Sequence, residues 1–296
     1  MLSKITNYNR SYVLSALGMT EGYGLVHFNS AHRKHIGDAF KRREDMTDKT
    51  ESGVSKKAFV LNLEGGILNC SQPLLNNTEV KLSFDRALAS IALLYTEYGT
   101  GVTQPTDLDG KVLDLIDPYL EAEYVTSPYL RNFYSQIEEK PISLKYDDVN
   151  MYMRNFNKDQ KMIRVNNIMG GLAPDYLFAG FIRTDALNGD FNLSPTCFSN
   201  VSQIDACITL NGMPVQGYPI SDPSYNFSTK FYAKFMDTIG KTKKTMVGDC
   251  LDMRYFITYF FLISHKFEGE QSNEGWIGLD IKLTRPLEED YTLGGF

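Results

Sequence analysis

The second half of the chain carries the hydrophobic pattern of β-strands, in which apolar and polar residues alternate with a period of two. The pattern covers ISLKYDDVNMYMRNF (142–156) and WIGLDIKLT (276–284), while YLFAGFI (176–182) is apolar throughout, as in a buried strand. ACITLNGMPV (206–215) is interrupted by Asn211-Gly212, a turn signal. Strands at short intervals, separated by Gly, Pro and Asn, favour an antiparallel sandwich over a parallel α/β sheet.

One segment of this half has a helical pattern instead. In SYNFSTKFYAKFMDTIG, Phe227, Phe231 and Phe235 recur every four residues and therefore share one helix face. Gly240 suits the end of such a helix, because glycine readily takes the left-handed conformation beyond the last turn. The sequence thus predicts an amphipathic helix in a long connection between strands.

Strand signals in the first half are weaker. KKAFVLNLEGGIL, from Lys57, predicts a strand and a turn, and a second strand is predicted where Val80, Leu82 and Phe84 alternate with polar residues. Residues 87–94 have helical propensity, but their apolar character favours a buried strand.

The chain divides into two predicted domains. Its 296 residues are enough for two cores of ordinary size. The residues before Lys57 are polar and irregular, which is typical of a loop or arm. Ser127-Pro128 begins a predicted short helix that ends at Pro141. We place the boundary here, with domains 1–140 and 141–296.

Composition and charge restrict the function. Hydrophobic residues make up 43% and charged residues 22%, as in ordinary globular proteins. The net charge of -6 and the pI near 5.3 argue against direct, sequence-specific nucleic-acid binding, which needs a basic face. No apolar stretch is long enough to span a bilayer.

The histidines and cysteines do not form a recognisable metal or nucleophile site. His27, His32 and His35 lie close in sequence, but their spacing matches no common structural zinc site, and we predict no metal there. His265 follows an aromatic stretch that is predicted to be a strand, and the histidine is predicted to be a core or edge residue. The cysteines are scattered and are interpreted as free thiols: Cys70, Cys197, Cys207 and Cys250.

Paired carboxylates raise the hypothesis of a glycosidase. The pairs are Glu138-Glu139, Asp147-Asp148 and Glu288-Glu289. Adjacent acids on a strand point to opposite faces and do not flank one bond, although pairs from different strands remain open. We assign no catalytic, cofactor-binding or metal-ligating residue, and predict that the protein is not an enzyme.

The densest motif of the chain resembles a known family. PDYLFAGFIRTDALNGDFNLSPTCFSN, followed by DACITLNGMPVQGYPISDPSYNFSTKFYAKF, is similar to the second half of the double jelly-roll major capsid proteins of the adenovirus-like lineage. Within that lineage it is most similar to the hexon-like proteins of Maverick/Polinton elements and adintoviruses, with their invertebrate genome-encoded relatives. The motif residues are Pro174, Gly180, Phe181, Asn188, Gly189, Pro195, Phe198, Asn211, Gly212, Pro214 and Pro219.

This resemblance implies an all-β, mainly antiparallel double jelly roll with short helices in the connections between strands. Asn-Gly pairs supply the positive backbone angles of tight hairpins, and the prolines end strands. Residues 1–140 would then hold an arm and a partial first jelly roll, and residues 141–296 the second. The early strands of the first jelly roll have no candidates before Lys57, and the resemblance expects one further strand beyond LEEDYTLGGF. The chain is therefore predicted to be truncated at both ends relative to the family.

The resemblance also implies a function. A major capsid subunit forms homotrimers that tile an icosahedral shell around double-stranded DNA. The expected partners are further copies of the chain, neighbouring capsomers, and penton and minor capsid proteins. The expected location is the virion capsid, assembled inside the host cell, and no cofactor is expected.

An alternative from another class is a carbohydrate-binding or glycan-hydrolysing β-sandwich. Such a protein needs exposed aromatic residues on one sheet, or two carboxylates that face each other across a groove.

Overall fold

A computed structural model describes residues 150–189, 193, 197–221, 227–240, 261–267 and 274–295, with short pieces at 48–49, 55–56, 74, 79–81, 83, 116–122, 126–129, 253 and 256–257. In this part of the chain the protein is mainly antiparallel β-structure with few helical residues. The all-β class predicted from the sequence is therefore confirmed at this level.

The elements are numbered in chain order. The helices are α1 (Thr184–Asn188) and α2 (Phe227–Gly240). The strands are β1 (Asp48–Lys49), β2 (Ser55–Lys56), β3 (Tyr152–Phe156), β4 (Met162–Leu172), β5 (Tyr176–Arg183), β6 (Gln203–Leu210), β7 (Met213–Pro214), β8 (Ile220–Ser221), β9 (Leu262–Lys266), β10 (Glu274–Leu283) and β11 (Tyr291–Gly295).

The described strands form two larger sheets and one small pair. One sheet has four strands in the order β3-β11-β5-β9, and the other has the order β4-β10-β6-β7, with β8 also paired to β6. β1 pairs with β2 separately. All of these pairings are antiparallel. Apolar residues from both larger sheets join a single buried cluster, so these sheets share one core.

Strict alternation explains how β10 faces this core. Ile277, Leu279 and Ile281 are buried, whereas Trp276 and Lys282 are exposed. Because successive side chains of a strand point to opposite faces, one face of β10 packs against the other sheet and the second is open to solvent. The five-stranded sheet therefore has an open outer face.

β4 contains a bulge opposite Gly278. Ile277 pairs with Met169 and Leu279 pairs with Val165, so residues 166–168 of β4 lie opposite the single residue Gly278. The extra residues disturb the ladder and locally re-aim side chains.

The four-stranded sheet is buried on both faces at β5. Residues 177–182 are all buried. Phe178 lies on the face covered by α2, where its ring centroid is 6.3 Å from that of Phe235. Its neighbours in the strand point the other way, toward the five-stranded sheet. An uninterrupted apolar run suits this position, because water reaches neither face.

Four elements predicted from the sequence are confirmed. β5 and β10 match the predicted strands, and β6 and β7 form the predicted strand broken at Asn211-Gly212. α2 matches the predicted helix and ends at Gly240 as expected. Within 142–156, the described strand is β3.

Three strands of the two larger sheets were not predicted from the sequence, and a fourth was misplaced. The unpredicted strands are β4, whose alternation is broken by the bulge, the two-residue β8, and β11. Tyr291–Gly295, for which the alternation gave no signal, is a strand with a partner on each side. The aromatic stretch before His265 is helical at residues 256–257, and β9 begins only at Leu262.

The predicted hairpin at Asn188-Gly189 is also wrong. Residues 184–188 form α1, and Gly189 follows it in the left-handed conformation with φ 99°. The N–H of Gly189 donates to the carbonyl of Ala186. Asn-Gly suits both a hairpin and a helix end because both require a positive φ. The motif therefore identified the backbone conformation correctly but not the element.

Replacing Gly189 with valine is expected to lower the free energy of unfolding by about 1–3 kcal/mol, because a β-branched residue is strained at positive φ. Urea unfolding of the purified protein measures this difference. Gly170→Val is the control, since Gly170 lies in β4 without such a φ, and a Cβ atom there would meet only the Asn167 side chain, at 3.7 Å or more. Equal losses in the two variants would contradict the assignment.

Most predictions for the first half lie outside the described residues. These are the strand from Lys57, the buried strand at 87–94, most of the helix from Ser127, the boundary between residues 140 and 141, and the histidines at 27, 32 and 35. β1 and β2 form a short antiparallel pair within the run that was predicted to be irregular.

Candidate functional site

Gly180, Phe181 and Phe198 of the predicted motif lie close together at β5. All three side-chain positions are buried. A Cβ atom at Gly180 would lie 2.6 Å from Cδ1 of Phe198 and 2.7 Å from Cδ2 of Leu262. The glycine is therefore required because the Phe198 ring and the Leu262 side chain occupy the space above it.

Backbone hydrogen bonds fix Phe198 in this place. The N–H of Ser199 donates to the carbonyl of Phe181 at 2.7 Å, and the N–H of Phe261 donates to the carbonyl of Phe198 at 3.0 Å. Ser199 thus forms an isolated antiparallel β-bridge with Phe181 of β5, next to the position where β9 begins. These contacts are structural, and none involves a reactive side chain.

The Asn211-Gly212 pair forms the predicted tight turn, between β6 and β7. Asn211 has φ 53° and Gly212 has φ 80°, the positive angles that such a hairpin needs. The N–H of Asn211 donates to the carbonyl of Trp276 at 2.9 Å, and Oδ1 of Asn211 accepts from the N–H of Trp276 at 3.0 Å. The turn is thereby fixed to β10.

The prolines of the motif have different positions. Pro174 lies two residues before β5, Pro214 is in the two-residue edge strand β7, and Pro219 immediately precedes β8. These positions agree with the expectation that prolines lie at strand ends and edges. Pro195 lies outside the described residues.

A depression of about 200 Å³ lies on the outer face of the five-stranded sheet. It forms above Gly278, at the bulge of β4. Gly212 of the turn contributes to its rim, and the side chains that line it are Arg164, Asn166, Thr209, Trp276 and Asp280.

An ion pair crosses this face beside the depression. Nε of Arg164 donates to Oδ1 of Asp280 at 2.8 Å, and both side chains are about half exposed. Asp280 is also the direct neighbour of Cys207 on β6. Burial, and next the charge of Asp280, raise the pKa of the Cys207 thiol.

The environment of the second described thiol, Cys197, also favours the protonated form over the thiolate. Burial raises the pKa of Cys197 to about 12, although a hydrogen bond with Ser199 opposes the shift. Because the thiolate is the nucleophilic form, both described cysteines are poor nucleophiles at neutral pH. Cys70 and Cys250 lie outside the described residues.

A buried polar cluster lies between β9, α2 and the segment before β8. Oη of Tyr218 donates to the carbonyl of Ser264 at 2.9 Å, and Oγ of Ser264 donates to Oγ1 of Thr238 at 3.3 Å. His265 is buried, as predicted, with its ring against Tyr218 and Phe267. Burial raises the pKa of the Tyr218 hydroxyl well above its usual range.

The raised pKa of Tyr218 predicts a loss of stability at alkaline pH. Above pH 10 the tyrosine ionises in the unfolded chain but stays neutral in the folded protein. The contribution of this group is therefore complete below pH 10, and it falls by about 1.4 kcal/mol by pH 11. Urea unfolding at pH 8 and pH 11 measures the loss.

Tyr218→Phe separates this effect from that of other tyrosines. The variant lacks the hydrogen bond to Ser264 and is expected to be less stable than the wild type by about 1 kcal/mol at pH 8. Because phenylalanine does not ionise, the variant does not lose the stability that the wild type loses at this position between pH 8 and pH 11. The two proteins should therefore have nearly equal free energies of unfolding at pH 11. A constant difference at both pH values would contradict the prediction.

Of the three carboxylate pairs, one lies within the part of the chain that the structure describes. Glu288-Glu289 lies in a bend between β10 and β11, not on a strand as the argument from alternation assumed, and Oε1 of Glu289 is 3.8 Å from Nη2 of Arg183. The pairs at 138–139 and 147–148 are not described. In the described part of the chain, no group of three His, Cys, Asp or Glu residues has metal-binding geometry.

The residues of the depression were not selected from the sequence. The signal was nevertheless present, because alternation in WIGLDIKLT places Trp276 and Asp280 on the same face as Gly278, opposite the core residues. Their proximity to Arg164 and Asn166 depends on the pairing of β10 with β4, which alternation alone does not provide.

Neither described helix is long and apolar enough to cross a membrane. No family model, no curated protein and no solved structure matches the chain.

Proposed function

We propose that the protein is a major capsid subunit of the hexon-like type. In this proposal each subunit holds two jelly rolls side by side, and three subunits form a trimer that tiles an icosahedral shell around double-stranded DNA. The subunit belongs to the virion capsid and assembles inside the host cell. In this proposal the role of the protein is structural and not catalytic.

The strand order in the second half is the observation that carries this proposal. Apart from β7 and β8, which both pair with β6, consecutive strands from β3 to β11 lie in different sheets. β3 and β11, the first and last of this series, are neighbours. Two facing antiparallel sheets whose strands alternate in this way are typical of a jelly roll, which has eight strands in two Greek keys.

The role of the motif residues supports the same proposal. Gly180 allows the close approach of Phe198, and Asn211-Gly212 forms a hairpin that is fixed to β10. Each described motif residue contributes to packing, a turn or a strand boundary. Such a pattern suits a protein whose function depends on its shape and its edges.

The charge of the chain suits a shell subunit that does not itself neutralise the genome. With a net charge of -6, the protein would leave compensation of the phosphates to basic partner proteins.

The oligomeric state tests this proposal. Sedimentation velocity of the purified protein is expected to show a species of three times 33.6 kDa, and negative-stain electron microscopy is expected to show particles with a triangular outline. Raising the protein concentration should increase the trimer fraction or produce ordered arrays. A monomer at all concentrations, or a dimer with two-fold symmetry, would overturn the proposal.

A further inference from the structure

The depression on the outer face has one flat aromatic wall. Trp276 is the single tryptophan of the chain. It lies in β10, which pairs with the bulged strand β4, and it is 42% exposed. The hydrogen bonds with Asn211 fix its backbone. A Cβ atom at Gly212 would lie 3.4 Å from Cη2 of Trp276, so the turn also supports the indole.

The other walls offer polar groups of several kinds. Arg164 and Asp280 supply a planar donor and a planar acceptor, Asn166 supplies an amide, and Thr209 supplies a hydroxyl. They lie on three neighbouring strands, β4, β10 and β6. A few polar groups that surround one aromatic surface are typical of a small-molecule site.

The charge of the site favours a neutral ligand. The guanidinium of Arg164 is already paired with Asp280 at 2.8 Å, so no net positive charge is available for a phosphate or carboxylate. A ligand with many hydroxyl groups can donate to Asp280 and accept from Arg164 without disrupting this pair.

The size of the site restricts the ligand further. A volume of about 200 Å³ corresponds to roughly seven water molecules and is below the range of pockets that hold drug-sized ligands. The depression therefore has room for a single ring, such as one residue at the end of a longer chain.

We propose that this depression binds one neutral sugar ring. The apolar C–H face of the ring stacks on the indole of Trp276, while its hydroxyl groups bond to Asp280, Arg164 and Asn166. Among the described lining residues Asp280 is the one carboxylate, and hydrolysis of a glycosidic bond needs two, so the site is a binding site and not a catalytic one. This inference goes beyond the proposed capsid function and does not depend on it.

The single tryptophan provides a direct assay. The purified protein is titrated with neutral hexoses, N-acetylhexosamines and, for comparison, acidic sugars, and tryptophan emission is recorded. A saturable change in emission is expected with at least one neutral sugar, in the millimolar range or tighter. A glycan array extends the same comparison to longer chains.

Calorimetric titration of variants then locates the binding. Trp276→Ala and Asp280→Asn are each expected to weaken binding at least tenfold, whereas Trp276→Phe should keep part of the affinity. Tyr129→Ala removes another exposed aromatic side chain and should bind as the wild type does. Circular dichroism confirms that each variant is folded.

Two outcomes would overturn the inference. One is the absence of binding to every neutral sugar on the array and in solution, and the other is unchanged affinity in both Trp276→Ala and Asp280→Asn. Sedimentation of the same samples reports on trimers separately. If no sugar binds, the capsid proposal is unaffected. If no trimer forms, the result on sugar binding is unaffected.

Discussion

Replacing Gly180 with alanine is expected to lower the free energy of unfolding by about 3 kcal/mol, at the upper end of the range for an overpacked core. The new methyl group would lie within 2.7 Å of both Phe198 and Leu262, and 3.1 Å from the carbonyl of Phe261. Phe198, Phe261 and Leu262 are fully buried, and one of the contacts is with backbone, so the surroundings have little freedom to move. Urea unfolding followed by circular dichroism measures the change.

Gly170→Ala is the matched control. Gly170 also lies in a strand, but a Cβ atom there would meet only the Asn167 side chain, at ordinary contact distances of 3.7 Å or more. This variant should be as stable as the wild type or slightly more stable. A second test combines Gly180→Ala with Phe198→Leu, which shortens the ring side chain and should recover part of the loss through direct coupling. Equal stability of Gly180→Ala and Gly170→Ala would show that the packing at β5 has been misassigned.

Phe235→Ala is expected to cost about 3–5 kcal/mol, since it removes a fully buried ring between α2 and the four-stranded sheet. The ring centroid of Phe235 lies 6.3 Å from that of Phe178 and 5.1 Å from that of Phe256, so its loss leaves a cavity with aromatic walls. The same unfolding measurement applies, and hydrogen exchange should show reduced protection along α2.

Thr229→Ala is the control for this helix, because Thr229 lies in α2 and is exposed. Its effect should stay within about 0.5 kcal/mol. If Phe235→Ala were equally mild, α2 would not be packed on the sheet as described, and the outer face of that sheet would be open to solvent.

The sequence predicts those elements whose pattern is local. β10 alternates without interruption, β5 is apolar throughout, and the three phenylalanines of α2 share one face at helical spacing. Asn211-Gly212 is a hairpin signal that the structure confirms. In each case the residues that determine the element lie within a few positions of one another.

The elements that sequence reasoning missed depend on distant partners. β4 loses its alternation where residues 166–168 bulge opposite Gly278, and β11 ends in Gly294-Gly295, which have low strand propensity. β11 is a strand because β3 and β5 pair with it on its two sides. Asn188-Gly189 does not distinguish its two possible elements, because a positive φ occurs both in hairpins and at helix ends.

The depression beside Trp276 was missed for a related reason. Alternation identifies the outer face of β10 but does not say which residues of β4 and β6 lie next to it. The neighbours Arg164 and Thr209 follow from strand register, which the bulge shifts. A site assembled across three strands is therefore not visible in any one of them.

The central position of β11 has a consequence for how the protein reaches its fold in the cell. Thr292 forms a hydrogen bond with Asn155, which precedes it by 137 residues. Because β11 lies between β3 and β5, the four-stranded sheet cannot form completely before residues 291–295 have been synthesised. Until then β3 and β5 have unpaired edges that face each other. Contacts between residues so distant in sequence form slowly, and exposed edges favour aggregation in the meantime. The nascent chain is thus expected to depend on chaperones during translation, and its soluble yield to rise when synthesis is slowed by cooling.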